Sequence, residues 1–133
     1  MQATIAAIKR RNVILMGFCF MLMFTAYSPS QNYALALLGN HAYFVLAVIY
    51  LVMAIANFFA SAAVKKVGSL KLAMTLSGYT YSAYLLAVAL YLAVDAIFIV
   101  YIFSVIIGIG AGILWSAQGT HLIYQYLFNI MLV

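Results

Sequence analysis

The chain is 133 residues long, 70% hydrophobic and 5% charged, with six basic side chains, one Asp and no Glu. A soluble domain has about a quarter of its residues charged, so this composition excludes a water-soluble globular fold and marks an integral membrane protein. The net charge of +5 does not indicate a nucleic-acid partner, because the basic residues fall in two short clusters beside apolar runs and form no basic face with interleaved aromatics.

Residues 1–12 are read as a cytosolic N-terminal arm that closes on Lys9, Arg10 and Arg11. The first span is expected over 13–33, too long for a signal-peptide core of about 7–15 residues. Pro29, crowded by Ser28, Ser30, Gln31 and Asn32, predicts a kink or an early helix end. Gly39-Asn40-His41 makes a short uncharged loop, and the second span covers 43–64. The single cysteine, Cys19, excludes a disulfide framework and reads as a small core residue.

Lys65, Lys66, Gly68 and Lys71 form a basic loop ahead of the third span, 72–93. An Asp at the bilayer centre costs about 2.5–3.5 kcal/mol, so Val94-Asp95-Ala96 is placed at a surface turn. The fourth span covers 97–117, and Gln118-Gly119-Thr120 is expected to break it. Residues 118–133 then form a cytosolic tail or a truncated fifth span. Four spans put every Lys and Arg on one side, which predicts a cytosolic N-terminus by the bias of basic loops towards the cytosol. The fold class is therefore an all-α membrane protein with four transmembrane helices.

In lipid, small and polar residues at helical spacing mark the faces that touch protein. Gly78 and Ser82 on the third span and Gly108 and Gly112 on the fourth are the helix-packing candidates. Thr25, Ser28, Gln31, Asn57 and Gln118 are the candidates for lining a central cavity, although such groups also satisfy one another between helices. His41 and His121 read as solvated or interfacial groups. The sequence holds no His/Cys/Asp/Glu cluster at metal spacing, no Ser/His/Asp set and no phosphate loop, so no catalytic residue, metal or cofactor is expected and the chain reads as a non-enzyme. A proton-coupled four-helix exporter is disfavoured because no carboxylate lies inside a span.

Two stretches carry a family likeness. Asn12-Val13 leads through Phe24-Thr25-Ala26-Tyr27 to Gln31-Asn32, and Gly110-Ala111-Gly112 leads to Leu114-Trp115-Ser116-Ala117-Gln118-Gly119-Thr120. Together they resemble the start and fourth helix of the uncoordinated-ninety-three-like family, membrane proteins of the major facilitator type, over Asn12 to Leu122. The likeness implies an N-terminal portion of a protein with about twelve helices in two halves, and a role in regulating ion channels, particularly a potassium channel subunit. The basic loop is similar to the major facilitator loop between helices two and three: Ser61 takes the first Gly position, Lys65 the acid, Lys66 the following base, Gly68 the second Gly, and Lys71 lies near the trailing base. Lys65 in the acid's place argues against ordinary rocking transport. The resemblance thus leaves two expectations, a channel-regulatory protein of which this is a piece or a small-solute transporter, and the alternative to it is a free-standing four-helix scaffold. The partners expected are the lipid bilayer, the channel subunit and the remaining helices of a longer protein.

Overall fold

The computed structural model describes residues Gln2–Met131, with side chains over 7–8 and 10–127. The side chain of Lys9 and those of the tail from 128 to 133 lie outside the described residues. Four α-helices follow one another: α1 (Gln2–Leu38), α2 (Ala42–Val67), α3 (Leu70–Val94) and α4 (Ile97–Met131), with a 3-10 turn at Gly39–His41 between the first two.

The turns fall where the residues that tolerate them fall. Gly39 and Gly68 take φ of +54° and +74°, the left-handed region open to a residue without a Cβ. Gly68 ends α2 by donating its N–H to the carbonyls of Val64 and Lys65, and Ser69 caps α3 by accepting from the Leu72 N–H at 3.4 Å. Asp95 is also left-handed, at φ 54°, and its N–H bonds to Tyr91 O at 2.8 Å.

Three sequence expectations are corrected. Pro29 lies inside α1, which continues nine residues beyond it to Leu38, so of the two alternatives the early helix end does not occur. The ring removes the donor that the Thr25 carbonyl would accept. One lost bond does not stop a helix this long, and the Ser30 hydroxyl adds a bond to Ala26 O at 2.8 Å. Gln118-Gly119-Thr120 does not break α4. A helical Gly costs only about 1 kcal/mol, and the Thr120 hydroxyl bonds back to Ser116 O at 2.8 Å. Cys19 is exposed on α1 and is no core residue.

The span count differs too. By length and composition three helical stretches among the described residues can cross a membrane: Arg10–Val67, Leu70–Val94 and Ile97–Leu127. The first is 58 residues long because the 3-10 turn joins α1 to α2 without an irregular gap.

Helix α4 is the central element, running along both α2 and α3, which touch each other little. Small residues on two of its faces make this possible. A Cβ at Gly108 would lie 2.8 Å from Val52 Cβ and 2.9 Å from Ile49 O, and one at Gly112 would lie 2.8 Å from Ala56 Cβ. A Cβ at Gly110 would overlap the Thr80 side chain of α3. Val45 and Ile49 of α2, Tyr84 and Val88 of α3, and Val100, Ile107 and Leu114 of α4 make the buried core, to which α1 adds Tyr27, Ala34 and Leu38. At the end away from the lysines, His41 Nδ1 lies 3.1 Å from the Tyr101 hydroxyl and ties the α1–α2 turn to α4.

Gly108→Val is expected to lower unfolding stability in detergent micelles by about 1–3 kcal/mol, since the Ile49 carbonyl it meets is backbone and cannot rotate away. Gly119→Ala, with nothing within 4 Å of the new Cβ, should leave stability equal or higher. Titration with SDS, followed by circular dichroism, measures both.

Candidate functional site

A cavity of about 350 Å³ is lined by all four helices. Its wall is aromatic: Phe24 and Tyr27 from α1, Tyr50 from α2, Tyr81 from α3 and Trp115 from α4. The rings hold one another at angles that ring quadrupoles favour. Tyr27 and Tyr81 meet edge to face at 4.8 Å between centroids, Phe24 and Tyr81 at 5.9 Å, and Phe24 lies 5.6 Å from Trp115 at a tilt of 37°. Helical spacing explains the set. Phe24, Tyr27, Ser28 and Gln31 recur at three and four residues along α1, and Ile107, Ala111 and Trp115 at four along α4, so each group shares one face.

The polar groups at this site are Ser28, Gln31, the phenols and the Trp115 indole N–H, and no charged side chain lines it. Asp95, the one acidic residue, lies at the far end of α3. Such a cavity can hold an uncharged flat molecule by stacking with one or two hydrogen bonds, or a weakly hydrated cation over the ring faces.

Of the five candidates for cavity lining, the structure brings two to this cavity, Ser28 and Gln31. Thr25 is exposed on α1 and Asn57 is exposed on α2, both off the wall. Gln118 is half-buried farther along α4, with its Oε1 enclosed and without a partner. His121 Nδ1 and Gln125 Oε1 share that condition, and positions 118, 121 and 125 fall on one side of α4. Of the packing candidates, Gly108 and Gly112 lie at the α2 contact, and Gly78 has the sulfur of Met23 3.9 Å from where its Cβ would be. Ser82 is exposed. Lys65, Lys66, Gly68 and Lys71 are exposed at the α2–α3 turn.

Sequence reasoning missed the aromatic wall. Trp115 packs on Phe20 and Phe24. The available signal was the spacing of Phe20, Phe24 and Tyr27 on one helical face. Tyr81 and Tyr84 are buried, and Tyr79 is exposed.

Residues 37–127 match the family described as ion channel regulatory protein UNC-93. The chain is similar to the UNC93-like protein MFSD11 of Xenopus tropicalis, 37% identical over 120 residues, and to that of Xenopus laevis, 35% identical over 119 residues. Each alignment covers 84% of this chain and 26% of the relative, so the chain spans about a quarter of the length of the curated relatives it matches. The matched region extends through Ile123 to residue 127, farther along α4 than the sequence motifs alone reach. No solved structure matches.

Phe24→Ala removes the ring that touches Phe20, Tyr81 and Trp115 together. It is expected to cost about 3 kcal/mol and to shift the emission of Trp115, the single tryptophan, to longer wavelength as its ring loses cover. Fluorescence of the purified chain during SDS unfolding checks both effects.

Proposed function

The chain belongs to the UNC-93 family of ion channel regulatory proteins, and from that membership we propose that it is part of a multi-pass membrane protein that modulates an ion channel, a potassium channel foremost, by packing its helices on those of the channel. The observation that carries this reading is the position of Asn57. Its amide is exposed on α2, fifteen residues beyond Ala42 and ten before Val67, about 15 Å or more from either helix end. An amide facing hydrocarbon at that depth costs several kcal/mol unless another helix satisfies it, either from the channel or from the rest of a longer protein, and the Asn57→Leu variant separates the two. Ser61, one turn on and also exposed, extends the same face. Loss of current modulation in Asn57→Leu, with unchanged amount and membrane delivery, is the expected result when the protein is co-expressed with potassium channel subunits. Retention of full modulation by that variant removes Asn57 from the contact.

The cavity favours a second reading, in which the major facilitator-type bundle moves a small uncharged solute. Labelled solute entering vesicles that contain the protein, with every co-expressed potassium current unaltered, would replace the regulator by a transporter.

Both readings use four membrane crossings in a bundle like the first helices of a major facilitator protein, with the basic ends in the cytosol. The 58-residue helical stretch would be about 87 Å long if straight, against a hydrocarbon core of about 30 Å. Tyr27 of α1 and Tyr50 of α2 face the same cavity, as they do when the chain reverses at Gly39–His41. With Cys19→Ser as background, Asn40→Cys and Asp95→Cys are expected to react with a membrane-impermeant maleimide from outside the cell, and Ser69→Cys only after permeabilisation. Labelling of Asn40→Cys and Ser69→Cys from one side would leave three crossings.

A further inference from the structure

A second hollow, of about 450 Å³, lies between the α2–α3 turn and α4. Lys65 of α2, Ser69 at the start of α3, and Ser61, Ser116, Thr120 and Tyr124 line it. It shares no residue with the aromatic cavity, and its volume falls within the range of about 300–1,000 Å³ of small-ligand sites.

The chemistry of this wall is one-sided. Lys65 has no carboxylate side chain to pair with nearby. The one acidic side chain, Asp95, follows the other end of the 25-residue α3, roughly 37 Å away. The hydroxyls are also short of acceptors. Ser69 Oγ accepts from the Leu72 N–H at 3.4 Å, which leaves its own proton to donate. Ser61, Ser116 and Tyr124 side chains form no hydrogen bond among the described residues. Thr120 gives its proton to Ser116 O at 2.8 Å, so its oxygen is the one hydroxyl on this wall committed as a donor. One ammonium and four hydroxyl donors therefore face a shared space with no anion supplied by the described residues. The positive end of α3 and the negative end of α2 meet at this turn and oppose each other, so the side chains set the potential.

We propose that this hollow binds a phosphate group, with Lys65 as its counter-charge and the serine and tyrosine hydroxyls as its hydrogen-bond donors. A phosphate accepts several donors at once through its unbridged oxygens, and charge-assisted bonds of this kind are about twice as strong as neutral ones. Lys65 stands at the end of a membrane-spanning helix, so the phosphate comes either from the head group of an anionic lipid or from a soluble phosphate in the adjoining water.

The test uses the purified 133-residue chain in phosphatidylcholine nanodiscs with and without phosphatidic acid, lipid binding being counted by native mass spectrometry after release. Lys65→Gln is expected to weaken phosphatidic acid binding about tenfold, the equivalent of one charge-assisted bond. Ser116→Ala combined with Tyr124→Phe should weaken it without removing any charge. Lys66→Gln, which removes the same charge beside the hollow but not on its wall, should leave affinity within about twofold, since an exposed charge contributes little beyond diffuse attraction. A second arm titrates inorganic phosphate into the phosphatidylcholine discs. A Lys65-dependent rise in thermal stability there, with no preference for phosphatidic acid, assigns the site to a soluble anion and keeps the proposal. Equal losses in Lys65→Gln and Lys66→Gln, or none in either, overturn it, because the attraction would then belong to the basic end as a whole. Unaltered binding by the hydroxyl double variant overturns the hydroxyl assignment, and it serves as the folded comparison should Lys65→Gln not fold.

Discussion

Everything in this molecule is placed by the approach of α2 to α4 at Gly108 and Gly112, where a single methyl group on either glycine would meet α2 at 2.8 Å. Hydrocarbon offers helices no reward for hiding apolar faces from one another, so association depends on van der Waals contact between backbones that come close. Gly110 does the same for α3 on another side of α4. With α2 and α3 both set against α4, Ile107, Ala111 and Trp115 face the space between α4 and α1, where the aromatic cavity lies. Helix α1 joins this frame mainly through rings. Its contacts at Phe20, Phe24 and Tyr27 are with Trp115, Tyr81 and Tyr84.

Charge is sorted along the helix axes as sharply as packing is sorted around them. The lysines of the α2–α3 turn lie at one end, and the uncharged Gly39–His41 turn, with Asp95, lies at the other. The end away from the lysines is joined by polar contact between His41 and Tyr101. The basic end has no comparable internal partner among the described residues, which is the basis of the proposed phosphate site at Lys65. The aromatic cavity lies between these ends and carries no charge of its own, so the means of binding there are ring faces, hydroxyls, an amide and an indole N–H.

Much of the fold is legible in the residues. Gly39, Gly68 and Asp95 mark all three reversals, because each combines a break in hydropathy with a residue that accepts a left-handed backbone. The all-helical membrane class follows from composition, and the family likeness was carried by the run through Trp115 to Thr120. The candidate site was legible in part. Ser28 and Gln31 were found because polar residues one turn apart stand out in an apolar helix, while Asn57 and Gln118, which stand out as plainly, lie elsewhere. As expected helix ends, Pro29 and Gly119 misled for a different reason. Each weakens a helix by an amount that holds locally, and a long helix fixed by its neighbours absorbs it.

The sequence by itself determined the membrane environment, the positions of the turns and the segregation of basic residues, because these depend on local composition and on single residues with special backbone freedom. Only the tertiary structure decided which face of each helix meets which neighbour. Periodicity reports that a face exists, and its partner is settled by contacts between residues far apart in the chain: Gly108 with Ile49 and Val52, Gly110 with Thr80, Phe24 with Tyr81 and Trp115. The aromatic cavity and the Lys65 hollow are products of those pairings. Neither can be read from any one helix, since each wall is shared by elements that the chain brings together only on folding.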